Sequence, residues 1–270
     1  MLRKSMLFWL VLTLCSLALA QQKTQKEYLA EHSSATGDAT TVCNVTFSSG
    51  TGSTTTQFCV TVNGNIAQFS INGEEMIQVG VIGEGYGVCD TYSGIAYYDW
   101  AYQDSGNWGT PTFTQVGNVI TVTRLTIDGI WQLKQTITNI PATATAPGSA
   151  KVSMALKNLS AIARNAYLLR YADVDADSIT TPNDFDYTSQ TAYGLRPGFY
   201  RGFGSTNNTF NTAIGQTAFT QNMYIAPNPC NPYLNLAAQP FVGDGSIVQF
   251  WYFKATPNTM KTVVSTYKPI

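Results

Sequence analysis

Histidine and charged residues are scarce in this 270-residue sequence, and each scarcity excludes a class of function. His32 is the only histidine, so a metal site built from several histidines is excluded. A Ser-His-Asp triad would depend on that one residue, which lies in a polar segment without periodicity. Charged residues make up 11% of the chain, against about 25% in an average soluble domain. Because Lys and Arg are not clustered, we expect no nucleic-acid partner.

Nucleotide-binding motifs are missing as well. The glycine-rich stretch Gly83-Glu84-Gly85-Tyr86-Gly87 has neither the spacing of a phosphate-binding loop nor a helical pattern after it. Most enzyme classes that depend on histidine, nucleotides or phosphate loops are thereby set aside, and carboxylate chemistry remains.

The N-terminus has the three parts of a secretory signal peptide. Arg3 and Lys4 precede an apolar run, Met6–Leu17, and Ala18-Leu19-Ala20 supplies the small residues that a signal peptidase reads. The run is shorter than the roughly 20 residues that span a membrane. Lipidation at Cys15 is disfavoured because a bulky leucine precedes it. We predict a secreted, periplasmic or extracellular protein with no membrane span in the mature chain.

The rest of the chain has no charge block, proline-rich linker or change of composition that would mark a second domain. We therefore predict a signal peptide over residues 1–20, a mobile N-terminal arm over 21–40, and a single domain over 41–270.

Four cysteines follow the predicted cleavage site, and an even number in an oxidising compartment predicts two disulfides. Two strands, Thr41–Phe47 and Thr56–Val62, are expected to form a hairpin in which Cys43 and Cys59 face each other symmetrically about Thr51. Cys89 and Cys230 are then paired by elimination. A zinc site is the alternative, but no two of these cysteines have C-x-x-C spacing.

The periodicity of the domain is that of β-strands. An Asp128-Gly129 turn separates the strands of one expected hairpin, as in a type I′ turn. Strands over Lys151–Lys157 and Asn165–Ala172 are expected to form a second hairpin, and Ser246–Lys254 with Met260–Tyr267 a third. Apolar residues on both faces of several strands favour a large antiparallel two-sheet β-sandwich. In length and number of strands it resembles the supersandwich of mutarotase-like sugar-binding domains, a resemblance that rests on no sequence motif.

Aspartates are concentrated where one predicted strand ends. Their spacing partly matches the 12-residue calcium loop, in which carboxylates and one backbone carbonyl bind the ion. Ser178 replaces the turn glycine of that loop, and its last ligand would be an aspartate in place of the bidentate glutamate. A solvated acidic turn and a catalytic site are the alternatives. The predicted calcium ligands are Asp173, Asp175, Asp177, the Ile179 carbonyl and Asp184.

Tyrosine and tryptophan are concentrated downstream of Cys89. Tyr97, Trp100 and Trp108 are the candidates for stacking against sugar rings, because such side chains combine apolar area with a hydrogen-bonding group. The alternative is that they pack in the core, as aromatic residues of strands commonly do. Burial of all three would exclude them as a glycan-binding surface.

These patterns favour a non-catalytic binding or structural module outside the cytoplasm, stabilised by calcium, with a glycan or another cell-surface ligand as partner. The alternative is a carbohydrate-active enzyme, a hydrolase or lyase that uses two carboxylates roughly 5–10 Å apart. Glu84, between two glycines, could be an exposed acid that acts with Asp99 or Asp173. The sequence leaves open whether the protein is catalytic and favours the binding module.

Overall fold

The structure, a computed structural model, describes residues 42–77, 83–179, 181–188, 190–199, 201–209, 215–221, 226–233, 236–237 and 239–270. The predicted signal peptide and N-terminal arm lie outside the described residues. All described residues belong to one unit, Ala35–Ile270. No helix in this part of the chain is long and apolar enough to cross a membrane.

Strands alternate with turns along the whole described sequence. In chain order they are β1 Val45–Ser49, β2 Thr56–Val60, β3 Ile66–Ile71, β4 Glu74–Glu75, β5 Glu84–Asp90, β6 Ile95–Asp99, β7 Thr112–Val116, β8 Val119–Leu125, β9 Trp131–Ile140, β10 Ser149–Asn158, β11 Arg164–Asp173, β12 Asn183–Tyr187, β13 Thr191–Arg196, β14 Arg201–Asn207, β15 Gly215–Gln221, β16 Phe241–Gly243, β17 Ser246–Ala255 and β18 Met260–Pro269. Two short 3-10 turns, Gly52–Thr54 and Ala176–Ser178, complete the regular structure.

These strands form three antiparallel sheets. A nine-stranded sheet has the order β16-β12-β13-β14-β18-β10-β9-β8-β7, and a five-stranded sheet has the order β15-β17-β11-β5-β6. One continuous core includes Trp131 of the first sheet and Trp251 of the second. A small sheet, β1-β2-β3-β4, joins the same core, and its Phe69 packs on Phe203 of β14 with ring centroids 4.9 Å apart. The predicted all-β sandwich is confirmed.

The two predicted disulfides, Cys43–Cys59 and Cys89–Cys230, are both present, as is typical of proteins outside the cytoplasm. The expected geometry of the first hairpin was nevertheless wrong. β1 pairs with β2 so that Thr46 lies opposite Cys59, and Cys43 reaches Cys59 from the segment that precedes β1. The turn lies at Gly50–Thr55, later than the sequence suggested, because a 3-10 turn takes up the glycine-rich tip.

Another expectation, that neighbouring strands pair, was wrong in two places. β10 pairs with β9 and β18, whereas β11 pairs with β5 and β17 in the other sheet. β17 and β18 are divided between the sheets in the same way. Residue alternation is the same whether a chain turns back within one sheet or crosses to the facing sheet, so the two arrangements cannot be told apart locally.

The Asp-Gly hairpin is present between β8 and β9, but the turn is wider than two residues. The last paired residues are Leu125 and Gln132, and the Asp128 carboxylate accepts hydrogen bonds from Thr126 Oγ1 and the Ile130 amide. Gly129 has a positive φ of 70°, whereas Asp128 does not, so the turn is not type I′. The hydrogen bonds to the Asp128 side chain stabilise this wider turn.

Candidate functional site

Polar side chains on the inward faces of both sheets form a buried layer between them. Glu84 of β5 and Arg170 of β11 are 0% exposed, and their Oε1 and Nε atoms lie 2.6 Å apart. Tyr267 donates its hydroxyl to Glu84 Oε1 at 3.0 Å, and the Ile66 amide donates to Oε2 at 2.6 Å. Burial raises the pKa of Glu84 even beside Arg170. The expectation that Glu84 is an exposed acid was wrong, because its side chain points from β5 into the space between the two sheets, where Tyr267 of β18 meets it.

Asp99 belongs to the same layer. Arg124 Nη1 lies 2.7 Å from its Oδ2, and Asn63 Nδ2 donates to that oxygen at 2.9 Å. Burial raises the pKa of Asp99 to about 6, although Arg124 opposes the shift. Asp99 is fully buried, like Glu84. Neither carboxyl can meet a substrate from solvent, so the two acids are structural partners of buried arginines.

The three aromatic residues proposed to bind sugar are also buried. Tyr97 is 1% exposed and Trp100 and Trp108 are each 3% exposed. Trp108 lies under the Arg124 guanidinium, 5.5 Å from its ring centroid, and contacts the Tyr97 ring. Trp100 packs on Tyr171. The prediction that these rings form an exposed stacking surface was wrong. Tyr97 and Trp108 belong to the core, and Trp100 is covered on the outer face of the five-stranded sheet, against Tyr171.

Two glycines of β5 make room for the chain at Asp99 and Trp100 and for Pro229 of a separate loop. A Cβ on Gly85 would lie 1.9 Å from the Asp99 carbonyl oxygen, and one on Gly87 would lie 2.7 Å from Pro229 Cγ. The glycine-rich stretch therefore allows close packing of backbone and side chains on the outer face of β5. This structural requirement accounts for a motif whose spacing matched no nucleotide-binding loop.

The predicted calcium ligands are only partly brought together. Asp173, at the end of β11, and Asp175 converge with Asp244, a residue that the sequence pattern does not indicate as a ligand. One carboxylate oxygen from each of the three lies within 4.8 Å of the others. The register explains the meeting. Asp173 pairs with Ser246, and just beyond this pair the Val174 amide donates to the Gly245 carbonyl, so that Asp175 and Asp244 lie on adjacent segments.

The remaining predicted ligands have other partners. Asp177 lies 2.9 Å from the Arg201 guanidinium. The Ile179 carbonyl accepts a hydrogen bond from Asn183 Nδ2 at 2.6 Å. Asp184 lies within β12, paired with Leu195 on one side and Val242 on the other.

Electrostatic repulsion is strong in the group of three aspartates. Burial, together with the nearby charges of Asp175 and Asp244, raises the pKa of Asp173 well above its usual value. Burial also raises the pKa of Asp244 to about 6. Three carboxylates so placed require a proton or a cation among them if they are to remain together.

A different aromatic surface lies on the outer face of the five-stranded sheet, where side chains point away from the core. Cross-strand pairs of β11 and β17 run along it as Leu169 with Phe250, Tyr167 with Tyr252, and Asn165 with Lys254. The Tyr167 ring contacts both Phe250 and Tyr252, with centroids 5.1 Å apart in each case.

Tyr233 completes this surface from a separate loop. The Cys89–Cys230 disulfide fixes residues 226–233 to β5, and the Tyr233 ring packs edge-on against Phe250 at 5.4 Å. Tyr233 is 47% exposed and Tyr252 38% exposed, whereas Tyr167 lies half-buried between them. We call Tyr167, Tyr233 and Tyr252 the tyrosine face.

A cleft of about 440 Å³ adjoins one end of the tyrosine face. Arg164, which forms an ion pair with the buried Asp90, lies over the exposed ring of Tyr92 at 4.9 Å from its centroid. The cleft is lined by Thr91, Tyr92, Ala163, Arg164, Asn165 and Lys254. The pair Asn165–Lys254 lies two residues from the pair Tyr167–Tyr252 on the same face of β11 and β17. The cleft therefore adjoins the tyrosine face.

Comparison with known proteins gives a match in fold only. Neither the families of known sequences nor the curated proteins give a match. Among solved structures, a bacterial glucoamylase complexed with acarbose has a TM-score of 0.57 at 7% identity over 86% of this chain. The chain spans 32% of the length of that glucoamylase.

Two further solved structures are similar to smaller degrees. A putative aldose 1-epimerase from Escherichia coli K12 has a TM-score of 0.50 at 9% identity, covering 84% of this chain and 99% of its own. Heparan sulfate lyase HepC from Pedobacter heparinus has a TM-score of 0.44 at 12% identity, over 83% of this chain and 34% of its own. The glucoamylase and the epimerase share the fold of this chain, in agreement with the expected large sandwich.

Proposed function

We propose that this protein is an exported, non-catalytic β-sandwich module that binds carbohydrate on the tyrosine face. The observation that carries the proposal is the exposure of Tyr233 and Tyr252 beside Tyr167 on one sheet face, next to a polar cleft. A tyrosine ring offers an apolar surface to the C–H face of a sugar, and its hydroxyl can bond to the sugar hydroxyls.

The cleft supplies the polar part of such a site. Asn165 offers a donor and an acceptor, and Lys254 offers donors at the same end of the face. A pyranose stacked on Tyr252 would therefore lie within reach of directional hydrogen bonds, which give specificity to a shallow site.

Several observations support a non-catalytic module over the alternative of a carbohydrate-active enzyme. Glu84 and Asp99, two of the carboxyls considered for catalysis, are fully buried and paired with arginines. The glucoamylase complexed with acarbose and the putative aldose 1-epimerase are named for sugars, and their shared fold lends support to carbohydrate as the ligand class without carrying over any activity. Export agrees with the two disulfides and with the signal-peptide pattern of the N-terminus.

Affinity electrophoresis of the full chain in gels containing soluble starch, mixed-linkage β-glucan, xylan or polygalacturonate tests the proposal. We expect retardation by at least one polysaccharide and a loss of about tenfold in affinity in Tyr252→Ala. Loss of one buried aromatic anchor typically exceeds 1 kcal/mol, and about 1.4 kcal/mol corresponds to tenfold.

Phe199→Ala is the matched control, because Phe199 is an aromatic residue that is 61% exposed and lies outside the tyrosine face. Its retardation should equal that of the unaltered protein. Equal losses in both variants, or no retardation by any of the four polysaccharides, would contradict the proposal.

A further inference from the structure

We propose that Asp173, Asp175 and Asp244 form a calcium site that joins the end of β11 to the turn entering β17. This set differs from the ligand set that the sequence predicted, because it includes Asp244, from the segment before β17, and leaves out Asp177, the Ile179 carbonyl and Asp184. The site is separate from the tyrosine face, and neither proposal depends on the other.

The state of Asp173 distinguishes this group from an ordinary acidic turn. Asp173 is 2% exposed, and its Oδ1 has no hydrogen-bond partner in the part of the chain that the structure describes. Oδ1 of Asp244 likewise lacks a partner there. No lysine or arginine of the described residues forms an ion pair with either residue. A buried carboxylate oxygen without a donor is costly, and a bound cation removes that cost.

The spacing of the oxygens fits calcium. Oxygens bound to one calcium ion at 2.3–2.6 Å lie no more than about 4.6–5.2 Å apart. The three carboxylate oxygens lie within 4.8 Å of one another. Three carboxylates also give a hard, strongly negative site of the kind that calcium prefers, and water can complete its six to eight ligands.

The position of the site gives the ion a structural role. Asp244 lies between β16 of the nine-stranded sheet and β17 of the five-stranded sheet. Asp173 and Asp175 lie where the chain leaves β11 on its way to β12, another crossing between the same two sheets. An ion bound by all three carboxylates therefore ties together two crossings at one end of the sandwich.

Thermal unfolding of the full chain, first dialysed against EDTA and then titrated with calcium chloride, tests the site. An ion that binds only the folded state at a hundredfold excess over Kd stabilises it by about 2.7 kcal/mol. For a domain of this size that corresponds to a rise in Tm of about 5–10 °C. Magnesium chloride should give a smaller rise at equal concentration, because magnesium demands near-ideal octahedral geometry and gives up its bound water reluctantly.

Two variants separate the proposed ligand set from the earlier one. Asp244→Asn should abolish the calcium-dependent rise, and in EDTA it should be at least as stable as the unaltered protein, since one repelling charge is removed. Asp184→Asn should keep the full rise. Metal analysis after dialysis against calcium should find one ion per chain in the unaltered protein and in Asp184→Asn, and none in Asp244→Asn.

Three results would overturn the proposal. The first is the absence of a calcium-dependent rise in the unaltered protein, which would mean that shared protons hold the three carboxyls together. The second is a full rise in Asp244→Asn. The third is loss of the rise in Asp184→Asn alone, which would return the site to the loop predicted from the sequence.

Discussion

Removal of one charge from the buried pair Glu84–Arg170 should destabilise the fold strongly. Glu84→Gln keeps the shape of the side chain, so no cavity forms. It removes the negative charge beside the Arg170 guanidinium, at 0% exposure, whose other oxygen partners are those of Gln135 and Gly64, at 2.7 and 3.2 Å, and the Tyr267 hydroxyl. The side-chain amide of the new glutamine must also point its NH₂ group toward either Arg170 or the Ile66 amide. Both of these groups are hydrogen-bond donors, so neither can accept a hydrogen bond from it.

The size of the effect follows from the cost of an uncompensated buried charge, which is about 3–5 kcal/mol. In a domain of this size each kcal/mol lowers Tm by about 2–4 °C, so Glu84→Gln should lower Tm by about 6–20 °C. Urea unfolding followed by tryptophan fluorescence should give the same loss, since Trp131 and Trp251 lie in the core between the sheets.

A double-mutant cycle separates the charge effect from packing. Glu84→Gln combined with Arg170→Met removes both charges, and the double variant should lose about 2–3 kcal/mol less than the sum of the single variants. Arg201→Gln is the control, because it breaks the Arg201–Asp177 ion pair in which Arg201 is 40% exposed. That loss should stay below about 1 kcal/mol. A loss below about 1 kcal/mol in Glu84→Gln, or additive losses in the cycle, would refute the reasoning.

Three other predictions follow from the same contacts. Gly85→Ala should cost more than about 3 kcal/mol of unfolding free energy or prevent folding, since its Cβ would lie 1.9 Å from a backbone oxygen. Gly243→Ala is the control and should be nearly neutral in urea unfolding, since its Cβ would meet the Phe241 ring at an ordinary contact distance of 3.8 Å. The pKa of Asp99 is about 6 in the folded chain and about 3.9 in the unfolded chain, so the folded state binds the proton more tightly. The free energy of unfolding should therefore rise by up to about 3 kcal/mol as pH falls from 7 to 4. In Asp99→Asn this contribution to the pH dependence of the unfolding free energy should be absent. Replacement of Cys89 and Cys230 by serine should lower the free energy of unfolding by about 2–5 kcal/mol. It should also weaken the retardation by polysaccharide, because the loop that carries Tyr233 is no longer bound to β5. Unchanged retardation would show that Tyr233 is not part of the binding surface.

The sequence by itself determined the class of fold and the disulfides. Alternating residues predicted the strands, and strands apolar on both faces, such as Ser246–Ala255, predicted two packed sheets. An even number of cysteines, two of them close together in one hairpin, predicted the pairing Cys43–Cys59 even though the register was wrong. These features are local or follow from counting, and therefore no knowledge of distant contacts is needed.

Imperfections of the sequence pattern also proved informative. Arg124 and Gln135 fall on the apolar faces of β8 and β9, where a solvated side chain would be out of place. The structure places them in the buried polar layer, bonded to Asp99 and Arg170. The pattern marked these positions as unusual, but their partners lie on other strands and could not be named in advance.

Only the tertiary structure decided which side chains meet. Asp244 joins Asp173 and Asp175 because β17 pairs with β11 in one particular register, across about seventy residues of chain. Tyr233 joins Tyr167 and Tyr252 because a disulfide holds its loop on the sheet. Trp100 and Trp108 are buried, although a segment so rich in tyrosine and tryptophan had suggested a ligand-binding surface. Alternation shows that a side chain lies on one face or the other, but which face is covered, and by which segment, depends on contacts between residues far apart in the chain.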